Sequence, residues 1–463
     1  MKHSDPGPAR SARRRLPILV VLLAATVAAV FWGADAGMAQ RRLVAAQGAL
    51  LDASGSERGE TAGLEGSDTA GSAGDMAVSA EEDATAAAGW SDGADGEIAD
   101  FLAALAPVPG SLADPAGLVP SLAERRHRAA YMVAEGELEG APQRVHVLCV
   151  DPAAPEASFR PVLSFDRLFG YETLSVMAER AGALAMVNGG FSWLDGRPSG
   201  TVLIDGTFWH GADERFPSLL IGASSAALVQ LGTEVRVTAG ETAGVTAGET
   251  VLGTASLNPW PMAEGISVFT PAYGRTDRME RERFSVTISG GVVRLAGRTA
   301  VPAEIPADGF VLAADVAAGT PLERMCAPGE TVRWEVVCDP PLPEGILHGL
   351  SCGSWLVRDG APCAPDSDPW VGPLAGPAPR TAVGIGPEGQ LVFVVAEGRI
   401  EGGPSGLSGK TLAKLLADMG LASAALLDGG ASSELIVDGS IRNRLSAGRE
   451  RVLPDGFALV PRR

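Results

Sequence analysis

Beyond residue 140 apolar positions recur with period two or in short solid runs, a pattern that predicts strands. Arg144 to Val150 alternates before the turn pair Asp151-Pro152, and Gln390 to Ala396 is strongly apolar. Ala424-Ala425-Leu426-Leu427 has the length and composition of a buried strand. The pairs Asp205-Gly206, Asp359-Gly360, Glu397-Gly398 and Asp438-Gly439 read as turns between such runs. One segment follows the helical period instead. Leu412, Leu415, Leu416 and Met419 form a stripe from about Gly409 to Met419, with Ser408 as cap and Gly420 as terminator.

The first hundred residues show neither period. Leu16 to Trp32 is an uncharged apolar run interrupted only by Pro17 and Thr26, and Arg10, Arg13, Arg14 and Arg15 precede it. That arrangement predicts export. The run also reaches about the minimum length of a membrane span, so residues 1–40 are a signal peptide or a single-pass anchor. Small-residue cleavage patterns stand at Ala34-Asp35-Ala36 and Gly37-Met38-Ala39. Basic residues ahead of the run keep the N-terminus inside and the rest outside the cytoplasm, in the cell envelope. Residues 41–100 hold thirteen acidic and three basic residues with few large apolar ones, the composition of a disordered linker. A spacer of this kind suits an anchored domain, so the anchor is favoured over cleavage. Residues 101–129 connect it to a domain spanning 130–463.

Charge removes one class of partner. The chain carries a net charge of −19 and its folded part remains acidic, a poor match for nucleic acid, whose binding begins with clustered Lys and Arg. Cys149, Cys326, Cys338, Cys352 and Cys363 all follow the export segment, where disulfides are expected. Cys326 with Cys338 and Cys352 with Cys363 are the simplest pairs, while Cys149, inside an alternating strand, reads as a buried thiol. No C-x-x-C or H-E-x-x-H spacing occurs, so neither a metal nor another cofactor is predicted.

Three enzyme patterns match in letters only. Gly384 to Gly389 fits G-x-G-x-x-G but leads into the strand Gln390 to Ala396, whereas a dinucleotide fingerprint opens a helix. Gly409-Lys410-Thr411 ends like a phosphate-binding loop, yet Pro404 occupies the position of its first glycine. Gly349-Leu350-Ser351-Cys352-Gly353 fits G-x-S-x-G, but a strand follows it instead of the required helix.

Two segments carry more specific chemistry: Asn188-Gly189-Gly190-Phe191, and Leu427-Asp428-Gly429-Gly430-Ala431-Ser432-Ser433. Each sets a polar side chain beside glycines that let backbone turn or approach a ligand closely. Asp428 follows an apolar run and so stands at the carboxyl end of a strand, where sites in open sheets lie. The bland alternative is that both are ordinary Asn-Gly and Asp-Gly turns.

Taken together with Val150-Asp151-Pro152, Pro198-Ser199-Gly200, Trp355 to Gly360, Arg380 to Ile385 and Gly406-Leu407-Ser408, these segments resemble the phosphodiester glycosidase family from about His146 to Val460. The family usually has a third glycine at Ala431 and a Phe at Ser192. The resemblance implies a mixed α/β fold built on a curved, largely antiparallel sheet with flanking helices. It also implies hydrolysis of a sugar-1-phosphodiester, so a phosphorylated glycan is the expected partner.

The residue types suit that chemistry. Arg380 offers a planar fork for two phosphate oxygens. Gly189, Gly190, Gly429 and Gly430 offer backbone N–H donors, Asn188 an amide, and Ser432 and Ser433 hydroxyls. Phe191 completes the pocket wall. A phosphate monoester leaves with a second pKa of about 6, so one carboxylate, Asp428, can attack the anomeric carbon or activate water. The rival reading is a non-catalytic envelope protein that binds anionic glycans.

Overall fold

The computed structural model describes residues 92–108, 111–113, 129–154, 156–211, 215–240, 250–261, 265–315 and 319–462. The export segment and most of the acidic linker lie outside the described residues. Residues 92–100, assigned to that linker by composition, belong to the helix Asp92–Ala103, whose Ile98 and Phe101 are buried.

The fold is mostly β, with 48% strand and four α-helices among the described residues, so the largely antiparallel sheet is present but the α/β class expected gives way to a mostly β one. The reason is visible in the connections. Most strands join through short turns, and antiparallel neighbours need no helical crossover. Asp205-Gly206, Asp359-Gly360 and Asp438-Gly439 are such turns, each with positive φ at both positions.

An eight-stranded antiparallel sheet runs in the order Ala106–Pro107, Ala129–Leu138, Ala141–Val150, Leu391–Ala396, Arg380–Ile385, Ser423–Leu426, Trp355–Arg358, Ala361–Pro362. A five-stranded antiparallel sheet runs Ser440–Ile441, Leu435–Val437, Ala185–Asn188, Asp455–Pro461, Ala157–Leu163. Side-chain alternation joins the two. Val383, Phe393, Val395 and Ala425 on one sheet share a core with Val187, Leu435, Phe457 and Leu459 on the other. Their sequence neighbours point outward: Ala382, Val392, Val394 and Ala424 pack with Leu412, Leu415 and Leu416 of the helix Gly409–Asp418. Met186, Ile436 and Ala458 pack with Leu174 and Met177 of the helix Leu174–Ala181. The predicted Ser408 cap is present, its hydroxyl accepting from Thr411 N at 3.1 Å.

A further eleven-stranded, largely antiparallel sheet has its own core around Val268, Val286 and Leu312. The expected disulfides are not formed. Cys326, Cys338 and Cys352 are thiols, and Cys326 and Cys352 are buried in different apolar cores. Burial pushes the Cys352 thiol up to about 12, with the Asp455 carboxylate adding to the effect.

Candidate active site

Antiparallel pairing places the end of one strand beside the start of its neighbour. Asp428 therefore follows the strand Ser423–Leu426 where Arg380–Ile385 begins, and Asn188 ends its strand where Asp455–Pro461 begins. The sandwich brings both edges together. Asp428 N donates to Gly189 O at 3.1 Å, and Leu427 N to Thr381 O at 2.9 Å.

Asn188 fastens this junction. Its Nδ2 donates to Asp428 O at 2.6 Å, and its Oδ1 accepts from Thr381 Oγ1 at 2.9 Å and Glu434 N at 3.1 Å. Thr381 Oγ1 also lies 3.1 Å from Ser433 Oγ. Asn188 and Ser433 are buried, and the amide meets protein groups on both its atoms.

The glycines act through space more than through free donors. A Cβ on Gly189 would lie 1.8 Å from Asp455 Oδ1, so only glycine lets that carboxylate approach. Gly189 N donates to Asp455 O at 3.2 Å, Gly190 N to Asp455 Oδ1 at 2.9 Å, and Gly430 N to Pro379 O at 2.8 Å. Gly429 N–H bonds the Asp428 carboxylate. The N–H groups expected to face an anion are thus turned to protein acceptors, because the chain must close two tight turns against each other.

Arg380 also differs from the expected open clamp. Its side chain is buried, with Nε donating to Leu407 O at 3.2 Å and Nη2 to Gly376 O at 3.1 Å and Leu374 O at 3.4 Å. The same fork that fits phosphate fits backbone carbonyls, and here it ties down the segment leading into its strand. Burial lowers its pKa, and the nearby Arg399 guanidinium lowers it further, opposed by Asp368.

Asp428 is the half-buried carboxylate at the centre. Burial raises its pKa, and the Ser432 hydroxyl, the Arg451 guanidinium and Gly429 N–H oppose the rise, while the Asp368 carboxylate adds to it. Ser432 in turn accepts from Arg451 Nη1 at 3.4 Å. Phe191 stacks against Trp370 with centroids 6.0 Å apart, and Trp193 meets Trp370 edge-on at 5.3 Å. Asp368 organises this wall. Its Oδ1 accepts from Trp370 N and Val371 N, and its Oδ2 from Ser354 N and Oγ.

Sequence reasoning missed Asp455, Arg399, Arg451, Asp368 and Trp370. Arg399 is exposed, has φ +56°, and its Nη1 would lie 3.5 Å from a Cβ placed on Gly430. A non-glycine residue held at positive φ marks a candidate functional position, but dihedral angles are invisible in sequence. The three rejected patterns stay rejected. Gly384 to Gly389 is a hairpin between strands, Lys410 lies on a Ser-capped helix, and Ser351 Oγ accepts from Thr201 N and lies 3.1 Å from Ser218 Oγ.

Solved structures with this fold include a hypothetical protein from Synechocystis, with a TM-score of 0.61 at 19% identity, covering 72% of this chain and 62% of that one. A candidate exported protein from Burkholderia pseudomallei K96243 has a TM-score of 0.55 at 22% identity, covering 70% of this chain and 75% of that one. The catalytic domain of zebrafish N-acetylglucosamine-1-phosphodiester alpha-N-acetylglucosaminidase gives a TM-score of 0.36 at 15% identity, too loose a likeness to bear on the site. The SPbeta prophage-derived uncharacterized protein YomE of Bacillus subtilis (strain 168) is 34% identical over 125 residues, 27% of this chain and 19% of that protein's length. The family model for phosphodiester glycosidases matches residues 282–460, which hold Arg380, Arg399, Asp428, Arg451 and Asp455 but not Asn188 to Phe191. Over residues 282–460 the chain therefore matches the phosphodiester glycosidase family.

Proposed function

We propose that the protein is an exported hydrolase that breaks the bond between a sugar's anomeric carbon and a phosphodiester oxygen. The observation that carries this reading is Asp428, a half-buried carboxylate at the end of a central strand, with Arg451 and Ser432 beside it and Arg399 across the Gly430 turn. Arg399 and Arg451 are exposed, and neither has a carboxylate salt bridge among the described residues. They are the cations suited to hold a diester's single negative charge, with Arg380 as the buried support behind them.

The chemistry asks little of the acid side. As the C1–O bond breaks, its electron pair leaves with the phosphate, whose negative charge the guanidiniums stabilise. Asp428 in its ionised form supplies the electron-rich side, by attack on C1 or by taking the proton of attacking water. Retained anomeric configuration in the product marks the first route and inverted configuration the second. The Phe191 and Trp370 wall offers apolar surface to a sugar ring.

Export rests on the arginines and apolar run of residues 1–40, and on the candidate exported protein that shares this fold. Finding the full-length chain in the cytosol overturns it. The activity test is release of free sugar from a panel of sugar-1-phosphodiesters. Asp428→Asn is expected to melt near wild type yet lose hydrolysis by orders of magnitude. A stable Asp428→Asn protein with near-normal turnover refutes the assignment. A wild-type protein that binds the diesters without cleaving any establishes the rival reading, a glycan-binding protein.

A further inference from the structure

The loops that carry Arg399 and Arg451 meet at one buried carboxylate. Glu397 directly follows the strand Leu391–Ala396 and is 1% exposed. Its Oε1 accepts from His146 Nε2 at 2.9 Å and from Arg444 N at 2.8 Å, and its Oε2 accepts from Arg444 Nε at 2.8 Å. Behind it His146 Nδ1 lies 2.8 Å from Tyr131 Oη, so the imidazole is held at both nitrogens. Burial works to raise the Glu397 pKa, yet the bonds from His146 and Arg444 outweigh it and hold the carboxyl below its usual range. One carboxylate thus grips both the main chain and the side chain of Arg444.

The first loop is a tight hairpin. Arg399 N donates to Ser405 O and Ile400 N to Pro404 O, both at 3.1 Å. Gln143 holds its returning arm, with Nε2 donating to Ser405 Oγ at 2.8 Å and Oε1 accepting from Gly406 N at 3.1 Å. A Cβ on Gly403 would lie 3.1 Å from Arg444 Nη1, so the guanidinium packs against the hairpin's tip. The second loop, residues 442–451, is tied to the turn after Asp428. Asn443 Nδ2 donates to Ser433 O at 2.9 Å, Ser446 Oγ to Gly430 O at 3.4 Å, and Arg451 Nη1 to Ser432 Oγ at 3.4 Å. Arg399 Nη1 reaches the same turn from the hairpin side, 3.5 Å from a Cβ placed on Gly430. The bonds between Glu397 and Arg444 fasten one loop to the other.

We propose that Glu397 is a positioning residue whose clasp on Arg444 sets the spacing of Arg399 and Arg451, so that both guanidiniums meet the single charge of one phosphodiester. Two arginines on loops free to move apart would have to be ordered when the anion binds, and the clasp removes part of that cost beforehand. This rests on the reading of Arg399 and Arg451 as the cations that hold the diester.

The test uses Arg444→Ala and Glu397→Gln in the full-length chain. The Arg444 side chain is 52% exposed, so Arg444→Ala is expected to fold and decides the matter even if Glu397→Gln does not. In hydrogen exchange the Arg399 and Ile400 amides are expected to exchange faster in both variants, while the core of the eleven-stranded sheet is unchanged. KM for the best-cleaved sugar-1-phosphodiester is expected to rise about three- to tenfold with kcat little changed, and to rise no further when Arg399→Ala is already present. Equal increases with and without Arg399→Ala show independent effects and overturn the proposal, as does loop exchange at the wild-type rate. A lower melting temperature and kcat with KM unchanged shows a merely structural role and overturns it too. If no diester is cleaved, the hydrolase reading falls and binding of inorganic phosphate decides: weaker binding in Arg444→Ala leaves the clasp standing, and unchanged binding overturns it.

Discussion

Glu434→Gln should make the protein more stable, increasingly so as pH rises. Glu434 is 1% exposed, its Oε1 has no hydrogen-bond partner among the described residues, and its side chain hydrogen-bonds that of Glu450. Burial pushes it up to about 9, and the Glu450 carboxylate contributes to the rise. The folded chain therefore keeps a proton that the unfolded chain releases near pH 4.3. With the folded pKa above the unfolded one, the contribution is complete below about pH 4 and is lost as pH rises toward 9. The loss is ~1.4 kcal/mol per pH unit inside that window, so about 2–3 kcal/mol between pH 6 and pH 8. Glu450 is half-buried, which makes this an upper figure. Glutamine supplies a donor to Glu450 at every pH and removes the dependence. Urea unfolding of both proteins at several pH values, followed by tryptophan fluorescence, measures the difference. Parallel stability curves between pH 6 and pH 8 refute the reasoning, because they mean that Glu434 is already ionised in the fold. The consequence reaches the site, since Glu450 adjoins Arg451 and also accepts from Ser175 N at 3.0 Å.

Four other outcomes follow from the geometry. Gly189→Ala places a methyl carbon 1.8 Å from Asp455 Oδ1 and is expected to cost about 1–3 kcal/mol by overpacking; wild-type melting and activity would remove the glycine's role. Arg380→Lys keeps the charge but loses the fork that reaches three carbonyls, so a loss of about 1.5–3 kcal/mol is expected in chemical denaturation, and unchanged stability would return Arg380 to the list of open anion clamps. Arg399→Ala and Arg451→Ala should each raise KM, with a weaker salt dependence than wild type; KM insensitive to both would move the anion site elsewhere. Trp370→Ala, which strips the partner of Phe191 and Trp193, should weaken sugar binding more than inorganic phosphate binding, and equal losses would deny it a place beside the sugar.

The parts of this molecule that were legible in the chain are those fixed by neighbours in sequence. The apolar run before Asp428, the alternation of Arg144 to Val150 and the stripe after Ser408 all became the elements their periods require. Glu397-Gly398 shows where local reading ends. It has the letters of a turn, yet Glu397 is buried and accepts from His146 Nε2, Arg444 N and Arg444 Nε, while a Cβ on Gly398 would lie 2.7 Å from Pro379 N. The partners that decide its role come from distant strands and loops. Asp455-Gly456 has turn letters too, yet the pair opens a strand and its carboxylate accepts from Gly190 N, 265 residues away. Arg380 shows the limit in chemical terms: a guanidinium binds any pair of suitably spaced oxygens, and sequence does not say whether these belong to phosphate or to backbone. What sequence located was the two turns, Asn188 to Phe191 and Leu427 to Ser433. What it could not locate was the charge around them, since Arg451 and Asp368 act on Asp428, Arg399 lies beside Gly430 and Asp455 meets Gly189-Gly190 only in the folded chain. The chemistry of the site therefore belongs to the sandwich, and the motifs mark only where its edges meet.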